Sequence, residues 1–113
     1  MHELSLAEEL IRQVERVLAE QNASRALRLT VSIGELSGVE RDAFEFAFPM
    51  AAADTPLAGA TLDIEEVPAR VRCRRCGADA KAAFPLLLCE ACGSTEVEVA
   101  GGREFTLRSV EVV

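Results

Sequence analysis

Aromatic side chains and histidine are scarce in this sequence. It has no tryptophan and no tyrosine, and only five phenylalanines and one histidine stand among its 113 residues. A surface that binds single-stranded nucleic acid needs aromatic rings on which bases stack, so this composition argues against one. The lone histidine, His2, leaves few groups for acid–base catalysis near neutral pH. The core must be built from Leu, Val, Ile and Ala.

Long apolar runs and basic leader segments are lacking as well. No stretch approaches the roughly 18 apolar residues of a membrane-spanning helix. The first residues lead into an acidic amphipathic segment, whereas an export signal is basic and then apolar. The sequence therefore predicts a protein without a membrane partner. We expect it in the reducing cytoplasm, where thiols stay free to bind metal.

Basic charge is in short supply, and the formal net charge is −7. Residues 1–68 contain five Lys/Arg against thirteen Asp/Glu, a balance of −8. The basic cluster Arg70, Arg72, Arg74 and Arg75 is short, and binding to phosphates needs a concentrated basic face. We therefore expect no nucleic-acid partner. An acidic body can instead attract cations and the basic face of a protein partner.

Four cysteines are the strongest signal present. Cys73 and Cys76 form one Cys-x2-Cys loop, Cys89 and Cys92 form another, twelve residues separate the loops, and glycine follows each. Two such loops can present four thiolates to one ion, and zinc accepts four thiolates in a tetrahedron. The glycine tolerates a left-handed turn that directs backbone N–H groups at the sulfurs. The alternatives are two disulfides, or iron in a rubredoxin-like electron carrier.

The spacing favours a structural Zn(II) over these alternatives. A four-thiolate zinc has no open position for water, so it is structural and not catalytic. The sequence has no phosphate-binding Gly-x-x-x-x-Gly-Lys loop, and no sequence rule places a histidine beside any serine. We therefore predict a protein that is not an enzyme.

Hydrophobic periodicity predicts an α+β fold in which two helices pack on a small mixed three-stranded sheet, with an inserted zinc-ribbon-like module that carries the four cysteines. Ser5 and Glu8 read as a capping box that opens the first helix. Ser37 and Glu40 read as a second capping box near the start of the next helix, and Pro49 predicts a kink or a locally broken turn near Phe46–Pro49. The helices are predicted over 5–22 and 40–53, and the strands over 26–34, 60–67 and 103–112.

The order of these elements predicts two domains. Residues 1–68 plus 103–113 form the α+β domain, and residues 69–102 form the zinc-binding module. The apolar run 82–88 is expected to pack beneath the metal. Gly101-Gly102 reads as a hinge, which would permit domain swapping, so the protein is a monomer or a homodimer.

The position of His2 in the chain is chemically special. The α-amine of Met1, the amide nitrogen of His2 and its imidazole can wrap one ion in a five-membered and a six-membered chelate ring. Three nitrogens in a plane suit Ni(II) or Cu(II). Glu3 can supply its amide nitrogen or its carboxylate as a fourth donor. A bulky second residue should also keep the initiator Met1 in place.

These features together resemble the HypA/HybF family of nickel metallochaperones. The resemblance rests on Met1-His2-Glu3, the Gly34-Glu35-Leu36-Ser37 turn, the two cysteine pairs and the closing 105–113 strand. It implies transient Ni(II) at Met1, His2 and Glu3, so that the α+β domain is the nickel-binding one. Zn(II) is implied at Cys73, Cys76, Cys89 and Cys92. Some members place an acidic residue where Glu40 stands, which makes Glu40 a further candidate.

The resemblance also implies partners. Nickel would be delivered with a HypB-like GTPase to the large subunit of a [NiFe]-hydrogenase, or in some organisms to urease. Members tied to urease have a histidine shortly after a cysteine pair, whereas this chain has Ala78 and Ser94 there. The sequence therefore favours hydrogenase maturation. The alternative function is an interaction or nucleic-acid-binding module in which His2 is incidental.

Overall fold

The computed structural model describes residues 2–82 and 86–113, within which two helices and six strands occur. The elements are α1 (His2–Glu20), β1 (Ala26–Gly34), α2 (Arg41–Ala52), β2 (Thr61–Val67), β3 (Arg70–Cys73), β4 (Asp79–Lys81), β5 (Val97–Gly101) and β6 (Phe105–Val112). They form two three-stranded sheets, ordered β2-β1-β6 and β4-β3-β5. The predicted α+β class is confirmed. Across the described ranges, every helix is too short or too polar to cross a membrane.

Helix α1 begins earlier than the sequence predicts. It starts at His2, so Ser5 lies inside the helix and the predicted Ser5–Glu8 capping box is wrong. Glu3 occupies the first turn, where a negative side chain interacts favourably with the positive end of the helix dipole. The periodicity predicts one apolar stripe, and all of its members except the half-buried Val17 are buried: Ala7, Leu10, Ile11, Val14 and Leu18.

The end of α1 is a Schellman turn. The N–H of Ala23 donates to the carbonyl of Leu18 at 2.9 Å, and the N–H of Asn22 donates to Ala19 at 3.3 Å. Asn22 has φ +53°, the left-handed conformation that this turn requires and that Asn adopts more readily than most residues. The helix therefore stops at Glu20, not at residue 22.

The first sheet is mixed, as predicted. Arg25 accepts a backbone bond from Val113, and Arg28 pairs with Glu111 at 3.1 Å, so β1 and β6 run in opposite directions. Arg25 also donates to the carbonyl of Ala58, and Arg28 pairs with Asp63, so β1 and β2 run in the same direction.

Strand β1 supplies much of the core. Leu29, Val31 and Ile33 are buried as the alternation predicts, but Leu27 on the same face is 48% exposed. The inward face of β1 therefore starts at Leu29.

Helix α2 packs against α1 and continues through Pro49 as one helix, so a broken turn there is not observed. Pro49 lies in the last turn, and its carbonyl accepts the N–H of Ala53 at 3.1 Å. Proline at this position removes the bond to the carbonyl of Glu45, while the carbonyls of the last turn have no intrahelical donor in any case. The helix buries Phe44 and leaves Phe46 76% exposed.

The chain divides into two compact units. One comprises Met1–Val31, Val39–Glu65 and Thr106–Val113, and the other comprises Ser32–Gly38 and Glu66–Phe105. The domain limits predicted from the sequence, 1–68 plus 103–113 and 69–102, stay a prediction, because a compact arrangement does not test which segments fold independently.

The second unit contains the β4-β3-β5 sheet. Strand β3 pairs antiparallel with β4 and with β5, where Val71 lies opposite Val99. The alternating Val97 and Val99 predict a short last strand of the module, and this strand is β5. Strands β3 and β4 are too short and too charged to be predicted from periodicity. In the run 82–88, Leu87 packs on the buried cluster of this unit and Leu86 is 67% exposed. Residues 83–85 of that run lie outside the described residues.

Gly102 is packed tightly and is not the predicted hinge. It is buried with φ +105°, and a Cβ on it would lie 2.8 Å from Ala69 Cα. Its carbonyl accepts the N–H of Leu36 at 2.6 Å, while the carboxylate of Glu35 accepts the N–H of Ala69 at 2.5 Å. We call these contacts, together with Gly34, the junction. They fix both ends of the cysteine module to the turn that follows β1.

Candidate metal centres

Each Cys-x2-Cys loop is a tight turn closed by its glycine. The N–H of Gly77 donates to the carbonyl of Cys73 at 3.0 Å, and the N–H of Gly93 donates to Cys89 at 2.7 Å. Both glycines have positive φ, +74° and +76°, with open space where a Cβ would stand. Glycine is therefore required by backbone conformation and not by crowding.

The loops bring all four sulfurs together. Every Sγ lies within 4.8 Å of the others, with Cys73 and Cys92 3.6 Å apart and Cys76 and Cys89 3.7 Å apart. A tetrahedral zinc with Zn–S bonds of about 2.3 Å separates its sulfurs by about 3.8 Å. The donor set and its spacing therefore fit a four-coordinate zinc ion. Cys73 and Cys89 are buried, and Cys76 and Cys92 are exposed.

The electrostatics of the cluster favour a bound cation. The backbone N–H of Cys76, and then that of Arg75, donates to the sulfur of Cys73 and lowers its pKa to about 6. At Cys92 the N–H of Ser94 lowers the pKa, but the neighbouring thiol of Cys73, desolvation and the other two thiols together outweigh it and raise the pKa to about 11. One thiolate forms readily, whereas further ones repel it. A divalent cation removes that repulsion.

The arginines beside the cluster face carboxylates. Arg72 pairs with Asp79 at 3.3 Å, and Arg74 pairs with Glu98 at 3.0 Å, all on the surface. These pairs offset part of the positive charge that a phosphate backbone would need.

The second candidate site lies at the start of α1. His2 is exposed at the first position of the helix, and Glu3 follows in the first turn. The carboxylate of Glu3 accepts the backbone N–H of Glu40 at 3.2 Å. That bond is the main cause of the lowered pKa of Glu3, and the backbone N–H of Glu3 itself lowers this pKa further. Met1 lies outside the described residues.

The structure thus places the side chain of Glu3 against the backbone of Glu40, which the family resemblance makes a weaker candidate nickel ligand. Glu40 is the N-cap of α2, with φ −82° and ψ 113°, and it makes no side-chain capping bond of its own. The predicted capping box at Ser37 is wrong, because α2 begins at Arg41. The ligand roles of Met1, His2, Glu3 and Glu40 stay predictions.

Sequence reasoning missed the bond between Glu3 and the Glu40 N–H. Its partners are 37 residues apart, so no local rule pairs them. One signal was available: a helix that starts at Arg41 has Ala43 at its third position, where a capping box needs Glu or Gln. The acceptor for the N-cap N–H is then either water or a group elsewhere in the chain.

Comparison with known proteins gives a consistent family. A family model described as "Hydrogenase/urease nickel incorporation, metallochaperone, hypA" matches residues 1–112. The chain is 42% identical over 113 residues to the hydrogenase maturation factor HypA of Nitrosospira multiformis, covering 100% of this chain and 98% of the relative. It is 38% identical over 112 residues to the protein of that name from Chlorobium limicola, covering 99% and 97%.

Solved structures agree with these relatives. The solution structure of the Ni metallochaperone HypA from Helicobacter pylori superposes with a TM-score of 0.70 at 29% identity, covering 98% of this chain and 97% of that one. A second solution structure of a HypA protein has a TM-score of 0.72 at 30% identity, covering 100% and 97%.

Proposed function

The chain belongs to the HypA family of nickel metallochaperones for hydrogenase maturation, and we propose that it binds Ni(II) at its N-terminus and delivers it to a [NiFe]-hydrogenase. Delivery proceeds with a HypB-like GTPase to the hydrogenase large subunit in the cytoplasm. The observation that carries this proposal is the exposed His2 at the start of α1, in a chain whose residues 1–112 match the family.

The nickel donors are nitrogens at the start of α1. The α-amine of Met1, the amide nitrogen of His2 and the His2 imidazole supply three, and the amide nitrogen of Glu3 supplies a fourth. The first N–H groups of a helix have no intrahelical acceptor, so the amides of His2 and Glu3 are not committed to the helix. Planar nitrogen donors suit Ni(II). The Glu40 carboxylate is the weaker candidate for a further donor.

Zinc is a structural ion at Cys73, Cys76, Cys89 and Cys92 and takes no part in nickel chemistry. Its charge offsets about half of the negative charge of the four thiolates. Its bonds cross-link the two loops, one at the end of β3 and the other preceding β5. Such a cross-link stabilises a small module whose buried core is limited. A family member of this kind is a carrier and not an enzyme.

Delivery requires that nickel be held by few and exposed groups, so that a partner can take it over. His2 is exposed, and the surrounding residues 1–68 carry an excess of negative charge that suits a basic partner face. The carrier works as a monomer or a homodimer. It serves hydrogenase in preference to urease, which is supported by relatives that are named hydrogenase maturation factors.

The proposal is tested by titrating the zinc-loaded protein with Ni(II), followed by absorption spectroscopy and calorimetry. The native chain should bind about one nickel, and His2→Ala should weaken binding at least about tenfold, because the imidazole closes the second chelate ring. Gln13→Ala, an exposed change on α1, is the matched control and should bind as the native chain does. Equal nickel affinity of His2→Ala and Gln13→Ala would refute the site.

Delivery has its own test. His2→Ala and Gln13→Ala are each expressed in cells that lack their own HypA, and the activity of the [NiFe]-hydrogenase is measured. Gln13→Ala should restore hydrogenase activity and His2→Ala should not. A chain that binds nickel but leaves the hydrogenase inactive, with or without added GTPase, contradicts the delivery role alone.

A further inference from the structure

Helix α2 lacks a cap of its own. Its N-cap residue, Glu40, makes no side-chain capping bond. The third helical residue is Ala43, whereas in a capping box a Glu or Gln at that position accepts the N-cap N–H. The carboxylate of Glu3, on the other helix, accepts this N–H instead. Glu3 therefore performs for α2 the role that a local Glu at position 43 would perform.

We propose that Glu3 is a positioning residue whose carboxylate ties the nickel-binding start of α1 to the N-cap of α2. The inference deepens the nickel function proposed above and rests on it. The nickel donor from this residue is its amide nitrogen, while its side chain fixes where α1 begins relative to Glu40. The carboxylate acts through the hydrogen bond and not as a metal ligand.

Three observations support this assignment. Helix α1 starts at His2, and the proposed donors lie within two residues, along the chain, of the side chain that makes the bond. Glu40 has an extended backbone at the helix entrance, the conformation in which an N-cap N–H points outward to an external acceptor. The two helices pack on each other, so a bond between their starts ties them together at that part of the interface.

Replacing Glu3 by glutamine distinguishes a ligand role of the carboxylate from a positioning role. Glutamine keeps a carbonyl oxygen that accepts the Glu40 N–H but is a much poorer nickel donor than a carboxylate. Glu3→Gln should therefore recover most of the nickel affinity that Glu3→Ala loses, if the side chain acts by position. If it acts as a ligand, both variants should lose nickel alike.

The experiment measures two quantities on each variant of the zinc-loaded chain. Hydrogen exchange of the Glu40 amide, by NMR on the nickel-free protein, reports the hydrogen bond, and calorimetry reports nickel affinity. In Glu3→Ala we expect the Glu40 amide to exchange roughly two- to tenfold faster, the range of an ordinary hydrogen bond, and nickel to bind more weakly. Glu8→Ala, an exposed change on the same helix, should alter neither.

Two outcomes would overturn the inference. One is unchanged Glu40 exchange in Glu3→Ala, which would mean that the bond does not protect the amide. The other is loss of nickel from Glu3→Gln as complete as from Glu3→Ala while its Glu40 exchange stays native, which would make the carboxylate a ligand. If the native chain binds no nickel but Glu3→Ala still exposes the Glu40 amide, the proposed function fails and the tie between the helices stands.

Discussion

Replacing Gly34 by alanine should destabilise the protein strongly, although its backbone conformation tolerates any residue. An added Cβ would lie 2.0 Å from the carbonyl oxygen of Gly102 and 2.9 Å from the nitrogen of Arg103. Ordinary contact begins at 3.4 Å, so the backbones would have to separate by about 1.4 Å. Both neighbours are backbone atoms and cannot rotate away as a side chain would.

The magnitude follows from what that separation breaks. Strain from forcing an extra carbon into a packed site costs typically about 1–3 kcal/mol. The bonds from Leu36 to Gly102, at 2.6 Å, and from Gly34 to Glu104, at 2.8 Å, contribute about 1 kcal/mol each. We expect Gly34→Ala to lower the free energy of unfolding by about 3–5 kcal/mol, a large part of the stability of a small protein.

Gly38→Ala is the matched control in the same turn. Gly38 has φ +80° and nothing within 4 Å of the place where a Cβ would stand, so its cost is conformational alone, about 1–2 kcal/mol. Guanidinium denaturation of the zinc-loaded proteins, followed by circular dichroism, measures both. If Gly34→Ala costs no more than Gly38→Ala, the tight junction described here is wrong and a flexible connection is the better description.

Three further predictions concern the core, a helix end and the cysteines. Phe44→Ala should lower the free energy of unfolding by about 3–5 kcal/mol, because the ring is fully buried; Phe46→Ala, at a 76% exposed position, should change it by less than about 0.5 kcal/mol, and equal effects would contradict the α2 orientation. Asn22→Gly should raise the free energy of unfolding by a few tenths to about 1 kcal/mol, since φ is +53° and glycine is the preferred residue there. A lower free energy of unfolding would contradict the Schellman turn. Removing metal with a strong chelator should make all four thiols react rapidly with a thiol reagent and release about one zinc per chain. Cysteines that still fail to react with the thiol reagent after chelation would indicate disulfides. A coloured protein that releases iron would indicate the rubredoxin-like alternative.

Local patterns predicted the first sheet and the cysteine loops well. The alternation in 26–34 marks β1 without error in its limits, and the cysteine spacing with its glycines predicts two turns with positive φ at Gly77 and Gly93. These features depend on residues close together in the chain. For the same reason the aliphatic stripe of α1 was predictable from its period.

Features that depend on distant residues were not predictable. The bond between Glu3 and the N-cap N–H of α2 joins positions 37 residues apart. Gly101-Gly102 reads as a flexible pair, yet Gly102 is fixed because Ala69 and Leu36 contact it. Glycine permits both a hinge and a close approach of two backbones, and only the tertiary structure distinguishes them.

The α-amine of Met1 as a nickel ligand is the central claim, and a chain extended by one alanine before Met1 tests it most directly. The extension leaves His2, Glu3 and the four cysteines in place but moves the free amine out of the chelate ring. The extended chain is compared with the native chain at equal zinc content and thermal stability. Calorimetric titration should show its affinity for Ni(II) reduced at least about tenfold, and the absorption spectrum of planar Ni(II) should be absent. If the extended chain binds nickel as tightly as the native one, the amine is not a ligand and the N-terminal site proposed here is contradicted.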